Sequence, residues 1–345
     1  MHSYKYSFKD DSSTLHVKTP LVESPKISTA CGYDVLLKLD NLQPAGSFKI
    51  RGIGNLVQQG IKQGKTHAVS SSGGNSGLAA AYASARSSIP CHVFVPNSTP
   101  KFAAENIKEH AAEVTYYGDN WNAADTEARR HLSEDAIYIH PFDGKDIWNG
   151  HATIVDELKE QMKGVKPGLV VFHFSKFRKK VVISKYAPLV CSVGGGGLLA
   201  GLILGLQKNN WDDVPVLAME TYGADCLNKS LEKKELVTLD GIGSIAKSLG
   251  ARATTQEILK LALNYRGKVY YRTCHDTEVI EVVEKFLGDH RFFVEPACAA
   301  TLVSCYKKEY LNGIPIGQGP IVLEICGGSA VSTQMLETWK KTAFS

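Results

Sequence analysis

One lysine has neighbours that could turn it into a nucleophile. Lys49 lies in Pro44-Ala45-Gly46-Ser47-Phe48-Lys49-Ile50-Arg51-Gly52, a turn leading into a helix. Most lysines are solvated surface charges, but Phe48 offers a flat apolar face, and a buried lysine is readily deprotonated. Two glycine-rich turns could hold an anion. Ser70-Ser71-Ser72-Gly73-Gly74-Asn75-Ser76-Gly77 follows one apolar run and opens an Ala-rich one. Gly73 and Gly74 let backbone approach a ligand, the helix start supplies free N–H groups, and Ser71, Ser72 and Asn75 add short polar side chains. A carboxylate or phosphate suits this turn, and so does a tight turn capped by its own serines. Ser192-Val193-Gly194-Gly195-Gly196-Gly197-Leu198 sets four glycines in succession. Their entropic cost is better explained by amides wrapping a phosphate than by packing, with a plain tight turn as the alternative. Ile325-Cys326-Gly327-Gly328-Ser329 ends a strand before glycines and a helix, and by itself Cys326 reads as a buried apolar thiol.

The elements that must position these residues alternate along the chain. Apolar runs at Val35 to Leu39, His67 to Ser70, His92 to Val95, Val114 to Tyr117, Leu189 to Val193, Val214 to Met219 and Ile321 to Ile325 read as strands. Helical spacing marks Asn75 to Arg86, Leu198 to Lys208 and Asp276 to Leu287, and Pro296 is placed to open another helix. Such alternation gives a parallel α/β fold. Neither glycine turn is a dinucleotide fingerprint, because Leu199 stands where GxGxxG needs Gly or Ala, and no GK[ST] follows to make a P-loop.

Composition narrows the class. The 345 residues are 43% hydrophobic and 21% charged, with no apolar stretch long enough to span a membrane. The N-terminal residues lack an apolar signal core, and Asp10-Asp11 argues against a transit peptide. Eight cysteines show no CxxC pair, as expected of reduced thiols in the cytoplasm. The formal charge of +4 falls to −1 without five bases, Lys176, Arg178, Lys179, Lys180 and Lys185, so nucleic-acid binding is not expected.

Together the motifs resemble the serine/threonine dehydratases of the fold-type II (tryptophan-synthase β-like) pyridoxal-phosphate enzymes, and most closely the short eukaryotic L-serine dehydratases. The resemblance runs through Leu15-His16-Val17-Lys18-Thr19-Pro20-Leu21, Gly46-Ser47-Phe48-Lys49, the Ser-Gly-Gly-Asn loop and the tetraglycine loop. It continues through Met219-Glu220-Thr221, Val294-Glu295-Pro296-Ala297-Cys298 and Cys326-Gly327-Gly328-Ser329. It implies two open parallel-sheet α/β domains, a large one from residues 1–42 and 146–345 and a small one from 43–145, paired into a homodimer.

The implied activity is elimination of ammonia from L-serine, giving pyruvate, or from L-threonine, giving 2-oxobutyrate. On this resemblance Lys49 bonds the pyridoxal phosphate aldehyde and later takes the Cα proton. Phe48 packs on the pyridine ring, Asn75 bonds the 3-oxygen, and Gly194, Gly195, Gly196 and Gly197 hold the phosphate. Ser71, Ser72, Gly73 and Asn75 receive the substrate carboxylate. Cys326 stands near the pyridine nitrogen as a neutral group, which favours elimination over transamination. A monovalent cation, usually potassium, would be held by Glu220 and the carbonyls of Gly194, Ala224, Leu249 and Ala251, although Glu220 also reads as a surface acid after a strand.

One departure bears on all of this. An excess of roughly eighteen residues, about 171–188, enters the strand that delivers the tetraglycine loop and carries the five bases. Either Leu189 to Val193 rebuilds the strand, or Leu169 to Phe174 competes for its place. The second outcome would leave a catalytically silent relative. Serine racemisation is a further alternative: it needs an acid opposite Lys49, where Gly73 offers none and the adjacent Ser72 keeps it open.

Overall fold

Strands that read as unbroken apolar runs lie buried on both faces. A computed structural model describes residues 14–167, 187–317 and 319–343 of the protein. The chain begins with β1 (Leu21–Glu23), α1 (Pro25–Cys31), β2 (Val35–Lys38), α2 (Lys49–Lys62), β3 (His67–Ser70), α3 (Asn75–Arg86), β4 (Cys91–Val95) and α4 (Lys101–Lys108). It continues with β5 (Glu113–Tyr116), α5 (Trp121–Arg130), β6 (Ala136–Ile139), α6 (Lys145–Gln161), β7 (Leu189–Ser192), α7 (Gly197–Lys208) and β8 (Val216–Thr221). Then follow α8 (Cys226–Lys233), α9 (Gln256–Leu263), β9 (Val269–Cys274), α10 (Asp276–His290), α11 (Pro296–Tyr306), β10 (Ile321–Glu324) and α12 (Thr333–Ala343).

Two sheets result. One has the order β1-β2-β10-β7-β8-β9 and the other β5-β4-β3-β6. All pairings are parallel except β1 with β2. Every residue of β7, β8 and β10 is buried, as central parallel strands under helices require. The α/β architecture is the one read from the alternation. The helix expected after Gly328 begins only at Thr333, because Gly327 and Gly328 both take positive φ and cannot start it.

Residues 171–186 of the expected insert lie outside the described residues, and so does the rival strand segment 169–174. β7 fills the strand position itself. Leu189 and Val190 pair with Val322 and Leu323 of β10, while Leu189 to Ser192 pair with Val216 to Met219 of β8. A central strand therefore delivers the tetraglycine turn.

A buried ionic cluster anchors α2 just beyond Lys49. Arg51 donates to both oxygens of Asp40 (2.6 and 2.7 Å) and both of Glu157 (2.6 and 3.0 Å). Lys38 joins Glu157, and Thr19 donates to Asp40 at 2.7 Å. The cluster ties α2 to the end of β2 and to α6. Breaking such a pair is costly because the surviving charges stay buried. Arg51→Ala should lower unfolding stability by about 3–5 kcal/mol, read as a fall in the denaturant midpoint.

Candidate active site

The turn before α2 is stitched to the end of β10. Phe48 N–H donates to Cys326 O (3.1 Å), Gly328 N–H donates to Gly46 O (2.9 Å), and Ser47 bridges Gly327 in antiparallel sense. The strands approach so closely that a Cβ on Gly327, at φ +89°, would stand 2.4 Å from Gly46 O. This pairing sets Lys49, the first residue of α2, beside the thiol of Cys326.

Lys49 is half-buried, and its ammonium donates to the carbonyl of Pro141 at 2.5 Å. Burial lowers its pKa to about 8, against the opposing pull of Cys326 and Glu295. Desolvation disfavours the charged form, so the amine is within reach near neutral pH. The ring of Phe48 lies 5.1 Å from the lysine nitrogen and packs against His151, with ring centroids 4.8 Å apart. His151 is wholly buried, neither ring nitrogen has a partner, and burial holds its pKa well below the usual value.

The tetraglycine turn lies next to Pro141 through Phe142. A Cβ on Gly195 would stand 2.3 Å from the Phe142 ring, and one on Gly197 would stand 2.4 Å from the Phe142 carbonyl. Gly196, at φ +97°, precedes α7 with no side-chain cap, so the first helical amides face the turn. Thr254 Oγ1 donates to Gly195 O (2.9 Å), and Cys226 Sγ lies 3.7 Å from Gly194 O.

His140 holds the Pro141–Phe142 segment. Its Nδ1 accepts from the amides of Phe142 (3.3 Å) and Asp143 (2.8 Å). Burial lowers its pKa to about 4, so the ring stays neutral and Nδ1 remains an acceptor. This segment was not singled out from sequence. It has no glycine run, and its function is to offer backbone.

The first glycine turn contributes unevenly. Asn75 is buried: its Nδ2 donates to Glu295 Oε1 (2.8 Å), and its Oδ1 accepts from Ser329 N (3.1 Å). The hydroxyl of Ser71 is committed to Asp125 at 2.6 Å, within a group that includes Tyr138 and Arg129. Ser72 Oγ accepts from Gly74 N at 3.3 Å, the self-capping expected of a tight turn. Thr99 covers Gly73, with its Oγ1 and Cγ2 both 2.6 Å from where a Cβ would stand. The turn thus brings Asn75 to Lys49 and Cys326 through Glu295, while the Ser71 side chain points to the small sheet.

Cys326 is buried, with its Sγ 3.5 Å from Ser192 Oγ. Cys298 and burial hold its pKa well above the usual value, so the thiol is neutral. Glu295, which the sequence marked only as part of a motif, lies between Asn75 and Lys49. Burial raises it to about 7.

The residues expected to hold a cation gather at the start of α8. Glu220 is wholly buried and not the surface acid that its place after a strand also allowed. Its oxygens accept from the amides of Leu227 (3.1 Å) and Asn228 (2.6 Å). Burial nevertheless raises its pKa well above the usual carboxylate value. Leu249 Cα would stand 3.1 Å from a Cβ on Gly194, and its carbonyl accepts from Ala251 N at 2.8 Å. Ala224 is buried beside the chain reversal after β8.

The donor set fits pyridoxal phosphate. A desolvated amine meets an aldehyde, uncapped amides at a helix start meet a phosphate, and Asn75 keeps a second N–H for an oxygen.

Comparison with known proteins agrees. The chain is 39% identical over 334 residues to the L-serine dehydratase/L-threonine deaminase of Mus musculus, covering 95% of each chain. It is 37% identical over 337 residues to an L-serine dehydratase of Saccharomyces cerevisiae, covering 92% of this chain and 95% of the relative. A solved L-serine ammonia-lyase from Rhizomucor miehei superposes with a TM-score of 0.85 at 33% identity, over 95% of this chain and 99% of that one. Residues 13–327 match the family model described as pyridoxal-phosphate dependent enzyme. The protein therefore belongs to the pyridoxal-phosphate-dependent enzymes, in their fold-type II branch.

Proposed function

We propose that the protein is an L-serine ammonia-lyase that also accepts L-threonine. The observation that carries this is the half-buried Lys49, held against the Pro141 carbonyl beside a neutral thiol at Cys326, its pKa lowered to about 8. Similarity to L-serine dehydratases over most of the chain supports the choice of substrate.

Bound pyridoxal phosphate supplies an aldehyde for the amino group and a sink for the electron pair left at Cα. The chain's residues do the rest. Lys49, released as an amine, would take the Cα proton, and the β-hydroxyl would leave as water by taking up the proton that the Lys49 ammonium returns to it. Cys326 would present no negative charge to the ring nitrogen, which would favour expulsion over storing the pair and so elimination over transamination. Water then replaces nitrogen, giving pyruvate and ammonia from serine, or 2-oxobutyrate and ammonia from threonine. The amides of Gly194 to Gly197 would hold the phosphate, Phe48 would line the ring, and Asn75 would bond the ring oxygen. The amides of Ser71, Ser72 and Gly73 would receive the substrate carboxylate.

We assign the cation to Glu220 and the carbonyls of Gly194, Ala224, Leu249 and Ala251. A wholly buried carboxylate with only two amide donors is poorly compensated, and a monovalent cation would hold it ionised. Residues 43–145 and the remainder serve as small and large domains in a homodimer, an assignment that rests on the family resemblance. A cytoplasmic location suits eight free, buried cysteines. Among the described residues no helix is long and apolar enough to cross a membrane.

Purified with pyridoxal phosphate and potassium, the protein should show a visible cofactor band that shifts on adding L-serine while pyruvate accumulates. Absence of bound cofactor, restored by deleting residues 171–188, would favour the silent relative. Lys49→Ala should reduce pyruvate formation by at least about 10²–10⁴-fold, measured in a coupled assay. Glu220→Gln should raise the potassium needed for half-maximal activity by about tenfold or more, equivalent to about 1.4 kcal/mol.

A further inference from the structure

Glu295 precedes α11, and its carboxyl is fixed on three sides. Oε1 accepts from Asn75 Nδ2 at 2.8 Å. The Asn75 amide cannot flip, because its oxygen accepts from the backbone N–H of Ser329 at 3.1 Å. Gly328 has no side chain where the carboxyl lies, since a Cβ there would stand 2.0 Å from Glu295 Cδ. The other oxygen, Oε2, is buried and makes no hydrogen bond. A buried carboxylate with one unmatched oxygen is incomplete. Its missing partner is a donor that arrives with the ligand. In a site built around an amine-binding lysine, the arriving donor is the ammonium of the amino acid.

We propose that Glu295 is a further catalytic residue, whose Oε2 takes the α-ammonium proton of the incoming amino acid as the substrate replaces Lys49 on the cofactor. The proposal rests on the assignment of Lys49 as the cofactor lysine. One N–H bond of the ammonium breaks and one O–H bond forms on Oε2, freeing the nitrogen lone pair for attack. An ammonium and a carboxylate become an amine and a carboxylic acid. Both products are neutral, which a buried site favours.

The titratable groups facing the carboxyl are Lys49 at the start of α2 and Cys326 after β10; Asn75 bonds it, and the Ser248 hydroxyl and Ala330 amide lie close to it without making a hydrogen bond of full geometry to Oε2. Burial raises the carboxyl, and Ser248, Asn75, Lys49 and the Ala330 amide oppose it, leaving it at about 7. It can therefore take up and return a proton near neutral pH.

Glu295→Gln keeps an oxygen for Asn75 and nearly the same shape but cannot take a proton. In rapid mixing of holoenzyme with L-serine, the variant's cofactor absorbance should shift about 100-fold more slowly than wild type at neutral pH. The rate should recover about tenfold per pH unit as free amine accumulates, a recovery absent from wild type. A variant that retains cofactor and follows the wild-type rate and pH profile would overturn the proposal. Should the variant not retain cofactor, infrared difference spectra of the wild-type holoenzyme decide. Addition of L-serine should produce a protonated-carboxyl C=O band, and its absence would overturn the proposal. Lys49→Ala tests the underlying assignment separately: if it kept the wild-type absorbance shift with L-serine, the lysine assignment itself would fail.

Discussion

Much of the site depends on the close backbone pairing of Gly46–Phe48 with Cys326–Gly328. It joins residues from opposite ends of the chain and fixes where α2 begins. From that start, two cations two residues apart, one wholly and one half buried, meet opposite fates. Arg51 faces two carboxylates at hydrogen-bond distance and remains charged. Lys49 is offered a carbonyl and no hydrogen-bonded carboxylate, so desolvation prevails and its pKa falls. One helix turn thus carries both a structural charge and a latent nucleophile, separated by the presence or absence of a paired carboxylate.

The same logic runs through the rest of the site. His140 and His151 are held neutral by burial, Cys326 is held as a thiol, and Glu295 sits near the midpoint of its titration. Fixed formal charge is therefore scarce around the lysine. Amides at the start of α7, rather than side chains, are left to meet a phosphate. The glycines from 194 to 197 also fit their surroundings: Phe142 leaves no room for a Cβ on Gly195 or Gly197, Ile258 crowds one on Gly196, and the Ser248–Leu249 backbone presses on Gly194.

Most strands that were legible are central ones, and the edge strand β5 was legible as well through its run from Val114 to Tyr117. β3 and β7 begin where their apolar runs begin, and α3 runs from Asn75 to Arg86 as its alanines suggest. The edge strands β6 and β9 were not marked, because half-exposed residues such as Tyr138, Tyr270 and Arg272 break an apolar run. Lys49, Asn75, Cys326 and the tetraglycine loop could be picked out because their residue types carry the chemistry. Pro141 and Phe142 could not, since their part is a carbonyl and a packed ring. Glu295 stood in a recognisable motif, but its function depends on an unmatched oxygen visible only in three dimensions. Ser71 shows the reverse: its type suggested substrate binding, while its hydroxyl serves Asp125.

The placement of β10 between β2 and β7 has a consequence for how the protein is made. β2 and β10 are neighbours in space but lie at opposite ends of the described chain, so their contact closes a very long loop. During synthesis the four-stranded sheet, drawn from residues 67–139, can assemble from nearby segments. The six-stranded sheet must wait with a gap at its centre and two unsatisfied strand edges. Since β10 also delivers Cys326, the nascent chain cannot gather its reactive lysine and its thiol until nearly all of it has left the ribosome. Until then, the exposed edges of β2 and β7 are where a folding chain of this protein is most open to mispairing.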